Sequence, residues 1–252
     1  MDDLFFFDAD CKIGSGPNTG IGPDAKALLD EMDDYGVDCA LVRHINAPML
    51  GAIESNKVLA DMLREDESGR LYGVWSILPS QCRELPEPDV FFRQMKENRI
   101  VALTLFPTEH RYVPCRLTLG KIMDAALERK VPVLVNAFSG QWRELYSFVA
   151  DFPENILLLC DTYGKWGYDR QVRPMLENYP NFFYGMTGYW VPEGICDLAN
   201  TYGANRFLYS SGYPGYIQGA GMLQLKYSGL NKEDIVKIAG GNLSRMLKEV
   251  EL

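Results

Sequence analysis

The first apolar run of the chain, Leu4-Phe5-Phe6-Phe7-Asp8-Ala9-Asp10-Cys11-Lys12-Ile13-Gly14, carries Asp8, Asp10 and Lys12 two positions apart. Side chains two apart in a strand point to the same face. The spacing therefore predicts two carboxylates and an ammonium together at the strand's carboxyl end. Charges are seldom placed inside a protein unless they are paired. Lys12 among carboxylates could stabilise developing negative charge or form a Schiff base, with a nearby carboxylate as acid or base. It could equally be an internal counter-ion. Two carboxylates hold an ammonium protonated, which weakens the nucleophilic reading and favours the counter-ion.

Such residues need a frame, and the chain alternates from end to end. Strand-like runs are Leu4–Asp8, Cys39–Arg43, Leu71–Ile77, Ile100–Phe106, Val131–Asn136, Ile156–Asp161, Phe182–Met186 and Phe207–Ser210. Most are short and apolar, as strands buried on both faces are. Helix-like runs fall between them. Pro23–Tyr35 has a Pro suited to a first turn and Gly36 as a stop. Ser55–Glu67 starts on a Ser suited to capping; Glu87–Asn98, Leu117–Lys130, Gln141–Phe152, Asp169–Tyr179, Pro192–Tyr202 and Asn231–Val250 complete the set. Eight βα units in 252 residues point to α/β class and a single (β/α)8 TIM barrel spanning 1–252. The other solution is an open doubly wound sheet. That fold usually has a Gly-rich phosphate turn after strand 1, of which Gly14-Ser15-Gly16 is a weak echo.

The formal charge of −9 argues against a nucleic-acid partner and against an anionic membrane surface. No run approaches the ~18 apolar residues of a membrane span, and Asp2 and Asp3 stand where a signal peptide would carry positive charge. Six scattered cysteines without a CxxC pair fit reduced thiols and a cytoplasmic location. The oligomeric state is left open, a homo-oligomer included.

Barrel enzymes carry their chemistry at the carboxyl ends of the strands. Here those ends offer Asp8, Asp10 and Lys12; Arg43 and His44; Ser76; Thr104 and Phe106, followed by His110, Arg111 and Tyr112; Asn136; Asp161 and Tyr163; Thr187 and Tyr189; and Ser210-Ser211-Gly212-Tyr213-Pro214. Arg43 and His44 are adjacent, so one of them faces the pocket. His44 is the imidazole nearest a strand end and the best general base available, although a lone His is more often structural. Arg111 beside His110 suits a carboxylate ligand, Arg being a bidentate donor. Tyr163, Trp166, Tyr168, Tyr189, Trp190, Tyr213 and Tyr216 crowd the last three loops, as the wall of a site for a flat organic ligand or as ordinary packing. Gly-rich Gly212–Gly221 has the composition of a mobile lid.

Several stretches carry a family resemblance. They are Leu28–Val42 (LLDEMDDYGVDCALV), Asn56–Pro79 with Gly69-Arg70-Leu71-Tyr72-Gly73-Val74, Tyr179-Pro180-Asn181-Phe182, and Gly240-Gly241-Asn242-Leu243. In this order they resemble the amidohydrolase-related branch of the amidohydrolase superfamily, which includes carboxymuconate-semialdehyde-type decarboxylases and pyrone dicarboxylate lactonases. The resemblance spans nearly the whole chain. It implies the barrel fold and a hydrolase or lyase activity on a small carboxylated or lactone-like molecule. It also implies a metal held by an Asp-x-His-x-His strand 1 and by His at the ends of strands 5 and 6, with a catalytic Asp after strand 8. This chain departs at every one of those positions, with Asp10, Lys12, Asn136, Asp161 and Gly212 in their place. Neither His44 nor His110 falls on a ligand position. Zinc-type ions prefer imidazole and thiolate, and Lys12 brings positive charge to where the ion would sit. Asp10, Asn136 and Asp161 could still hold a hard ion through oxygen. The stronger expectation is a site with no metal and no cofactor.

Two function classes follow. One is a metal-independent hydrolase or lyase with Lys12, Asp161, Asp10 and His44 as catalytic residues. Its small, carboxylated ligand would be held by Arg43, Asn136, His110, Arg111, Tyr163, Ser211 and Tyr213. The other is a catalytically degenerate barrel that binds a small ligand or a protein partner without turnover. In both, Lys12 should lie within salt-bridge distance of Asp10 or Asp161, with Asn136 adding a hydrogen bond and Asp8 bonding backbone near strand 8.

Overall fold

The computed structural model describes residues 4–15, 22–161 and 169–252, with Ser139 and Asp161 described in backbone only. Among these residues eight strands, β1 (Phe7–Ile13), β2 (Cys39–His44), β3 (Leu71–Ser76), β4 (Ile100–Thr104), β5 (Val133–Asn136), β6 (Leu157–Asp161), β7 (Phe182–Gly185) and β8 (Phe207–Leu208), form one parallel sheet in sequence order. The sheet closes although β8 is two residues long. Ala9 N–H donates to Tyr209 O, Gly212 N–H to Asp10 O and Lys12 N–H to Tyr213 O, at 3.0, 3.0 and 2.9 Å. The closed barrel is thus confirmed over the open sheet.

The helices are α1 (Ala25–Tyr35), α2 (Ala47–Leu50), α3 (Ala52–Glu65), α4 (Pro88–Glu97), α5 (Arg116–Glu128), α6 (Trp142–Asp151), α7 (Asp169–Asn178), α8 (Gly194–Tyr202), α9 (Gln218–Lys226), α10 (Lys232–Val236) and α11 (Asn242–Lys248). Local chemistry sets their ends. Asp24, not Pro23, caps α1: its Oδ1 accepts from Ala27 N–H at 2.8 Å, and Gly36 closes the helix in a left-handed conformation. Ser55 is no cap. It lies inside α3 and its hydroxyl donates to Gly51 O at 2.6 Å. The final helix is not continuous, because a π-turn at Lys237–Gly241 divides α10 from α11. No described helix is long and apolar enough to cross a membrane.

The strands alternate between two cores. Phe7, Ala9, Leu41, Val74, Ala102, Leu134, Leu158, Cys160 and Leu208 fill the barrel, and Leu243 and Met246 of α11 join them. Their neighbours, among them Ala40, Val42, Trp75, Leu103, Val135 and Leu159, pack under the helices. At about 25 cal/mol per Å² of apolar surface removed from water, each buried Val, Leu, Phe or Met among them contributes about 1.5–3 kcal/mol before entropy is counted. The pattern decides which polar residues face the mouth: those continuing the inner series.

Candidate functional site

One irregularity reshapes β1. Its register against β2 shifts between Asp8 and Cys11. A bulge of this kind changes which side chains share a face. The expected common face for Asp8, Asp10 and Lys12 is therefore corrected: Asp8 turns to the seam and Asp10 with Lys12 to the mouth. Asp8 is fully buried there. Its Oδ1 accepts from Ser211 N–H at 2.9 Å, and its Oδ2 accepts from the Gln218 amide at 3.0 Å. It ties β1 to the segment after β8, the structural role expected of it. Burial pushes its carboxyl above the usual range, more than these hydrogen bonds lower it. Gln218 is a residue the sequence reading missed. It lies in the Gly-rich stretch read as a lid, but 218–221 form the first turn of α9, and Gly212 and Tyr213 are pinned in the seam.

Asp10 lies at the floor of the mouth with its side chain wholly buried. Arg43 reaches it from β2, with Nη2 at 3.0 Å and Nε at 3.1 Å from the same oxygen, Oδ1. Lys12 Nζ stands 3.9 Å from Oδ2, and its side chain is 19% exposed. Lys12 is therefore the part of this cluster that a ligand in the mouth would meet first. Arg43 continues the inner series from Leu41, and its guanidinium lies 5.8 Å from the centre of the Phe106 ring.

His44 takes the other side of β2. Its ring lies against Gly14, where a Cβ would stand 2.4 Å from Nε2. Its Nδ1 accepts from Asn46 N–H at 3.3 Å, and burial lowers its pKa. A neutral imidazole of this tautomer, packed on the opposite face from Arg43, is not brought together with Asp10 and Lys12. His110 stands edge-on to Phe106, 5.8 Å between ring centres, and its Nε2 meets Ala47 O at 3.0 Å. A carbonyl only accepts, so Nε2 carries the proton. Arg111 is exposed and holds a positive φ of 60°.

Other candidate side chains are engaged with the backbone. Asn136 Oδ1 accepts from Phe138 N–H at 2.7 Å. Ser211 Oγ accepts from Tyr213 N–H at 3.0 Å. Tyr213 is half-buried beside the seam. Asp161 pairs in register with Asn136, and its backbone ends β6 at the mouth. Its side chain, and Tyr163, Trp166 and Tyr168, lie outside the described residues. Gly212 has φ +79°, and a Cβ there would lie 2.5 Å from Thr187 Cγ2.

The donors around Asp10 do not suit a divalent cation. One carboxylate oxygen receives two guanidinium N–H groups and the other faces an ammonium. Among the described residues no three His, Cys, Asp or Glu side chains gather as a metal site would require.

No family model matches this chain, and no curated protein matches its sequence. Solved structures do match its fold. An uncharacterised TIM-barrel protein from Bordetella bronchiseptica superposes with TM-score 0.72 at 18% identity, over 98% of this chain and 99% of that one. A probable 2-pyrone-4,6-dicarboxylic acid hydrolase from Acinetobacter baumannii, with citric acid bound, gives 0.71 at 12%, over 97% and 100%. A 5-carboxyvanillate decarboxylase from Novosphingobium aromaticivorans, complexed with manganese and 4-hydroxy-3-methoxy-5-nitrobenzoic acid, gives 0.70 at 12%, over 98% and 96%. Two of these three neighbours are a pyrone dicarboxylic acid hydrolase and a decarboxylase, the kinds of protein to which the resemblance points. At these identities the likeness establishes the fold.

Proposed function

We propose that this chain is a metal-independent hydrolase or lyase acting on a small carboxylated or lactone-like molecule at the barrel mouth. The observation that carries it is the convergence of Lys12 and Arg43, from adjacent strands, on buried Asp10. Cations fixed at a partly desolvated floor stabilise negative charge developing on a substrate, because the field is set before reaction. In this reading Lys12 meets the substrate carboxylate and Arg43 fixes Asp10. Asp161, at the end of β6, moves the proton. Two of the structural neighbours were solved with carboxylated compounds, citric acid and a nitrobenzoic acid, which supports the substrate class.

The test is calorimetry and turnover on chelator-treated protein, with 2,6-dihydroxybenzoate and 2-pyrone-4,6-dicarboxylate as probes. Saturable binding that survives the chelator and weakens in Lys12→Gln is expected, with release of carbon dioxide or ring opening. One equivalent of transition metal surviving dialysis, or activity lost to the chelator and restored by manganese, overturns the metal-independent reading. The second class, a ligand-binding barrel without turnover, is favoured by one observation. His44, His110, Asn136 and Ser211 all spend polar atoms on holding backbone. Binding without product over a full day would select it.

A further inference from the structure

The opposite pole of the barrel carries a cavity of about 810 Å³ whose walls are aromatic and whose rim is basic. Phe7 and Tyr72 form its inner wall, their ring centres 5.4 Å apart, and Phe5 stands edge-on to Phe7 at 6.4 Å. Phe5 remains 47% exposed. An exposed phenyl beside two further rings leaves apolar surface in water, a cost the fold does not need. The opposing wall is α11, which turns Leu243 and Met246 into the barrel and leaves Arg245 and Lys248 exposed at the rim. Neither cation makes a salt bridge with a described residue. Most other arginines of this acidic chain do, among them Arg64, Arg70, Arg99, Arg116, Arg129 and Arg173.

We infer that this cavity binds a small amphipathic anion, an apolar ring or chain ending in a carboxylate or sulfonate. The apolar part would lie on Phe5, Phe7 and Tyr72, and the acid group between Arg245 and Lys248. The volume is that of small-molecule sites, which combine apolar walls with a few polar groups that fix orientation. The two cations lie three residues apart on one helix, so both can reach one anionic group. This site stands at the amino ends of the strands, away from the Lys12 cluster, and is independent of the activity proposed for the mouth. A protein partner with an acidic apolar segment is the competing occupant. It is disfavoured because Glu249 shares the rim and would oppose an extended acidic chain.

Cys39 lines the cavity and reports on it directly. The probe is 8-anilinonaphthalene-1-sulfonate, with decanoate as competitor. Saturable binding with a dissociation constant below about 1 mM is expected. Charge reversal in Arg245→Glu/Lys248→Glu should weaken it at least about tenfold, and because both positions are exposed and without a salt bridge to a described residue, the variant should still fold. Phe5→Ser should weaken it as well. The bound probe should slow alkylation of Cys39 several-fold and leave the exposed Cys82 unaffected. Equal affinity in the charge-reversed protein, unchanged labelling of Cys39, or no saturation at millimolar probe would each overturn the inference. So would concentration-dependent self-association that the probe abolishes, because a second copy would then be the occupant.

Discussion

Replacing Arg43 by Met should destabilise the barrel more than any surface substitution. The Asp10 side chain has no solvent exposure and the Arg43 side chain has 9%. Among the described residues, the two nitrogens within 3.1 Å of Asp10 Oδ1 belong to that one guanidinium. Removing one partner of a buried pair leaves an uncompensated charge and costs about 3–5 kcal/mol. Lys12 stays 3.9 Å from the second oxygen and offsets part of this. The lower end, about 3 kcal/mol, is therefore expected. For a chain of this size that is roughly 6–12 °C in melting temperature. The pair is buried, so high salt should change the difference little. Thermal denaturation followed by circular dichroism at neutral pH measures it. The double variant Asp10→Asn/Arg43→Met removes the stranded charge and should recover most of the loss, because residues in direct contact are not additive. An unchanged melting temperature in the single variant, or a double variant no more stable than the single, would refute the reasoning.

The remaining predictions concern the seam and the glycines beside the site. Asp8 is raised by burial, so the folded chain binds more protons than the unfolded one, and stability falls as pH rises from the ordinary value of 3.8 toward the native one. Asp8→Asn should abolish that slope in urea titrations at acid and neutral pH. It should also match the wild type or exceed it at neutral pH: the new amide nitrogen takes the place of Oδ2, and a turn of the Gln218 amide brings Oε1, now without a hydrogen-bond partner, round to accept from it. A loss above about 2 kcal/mol at neutral pH would count against it. Gly212→Asp should cost about 1–3 kcal/mol in urea unfolding, because φ is +79° and Thr187 is in the way. A variant as stable as the parent contradicts this. Gly14→Ala should displace the His44 ring and cost a similar amount. With two histidines in the chain, imidazole NMR should show His44 shifting and His110 unmoved.

The barrel is legible in the sequence because its strands are buried on both faces and read as short apolar runs between one-sided helices. The Lys12–Asp10 proximity is legible too, from a spacing of two. What decides the rest is tertiary. The bulge between Asp8 and Cys11 separates residues that period two would group, and it arises where β1 meets the segment after β8. Parity alone leaves Arg43 and His44 equivalent. The barrel interior chooses Arg43, because Leu41 is in the inner core and Ala40 and Val42 are in the outer one. Gln218 gives no local sign of its role, since its partner Asp8 is 210 positions away. The break in the final helix falls at Gly240, where the backbone leading into the first strand approaches so closely that a Cβ would meet Phe5 O at 2.8 Å. Such an approach is set by packing and not by helix propensity.

The closing seam has a kinetic consequence. Its bonds join residues about 200 positions apart, Ser211 to Asp8 and Gln218 to Cys11 among them. Every other neighbouring pair of strands is joined by one short crossover. Contacts of such separation carry the largest chain-closure entropy and form late in folding. Until β1 and β8 meet, the floor that β1 and β2 build from Asp10, Lys12 and Arg43 has no wall on its seam side. Amide exchange at Ala9, Lys12 and Gly212 would time the closure, and any fluctuation that parts the seam in the native protein opens the mouth beside Asp10 and Lys12.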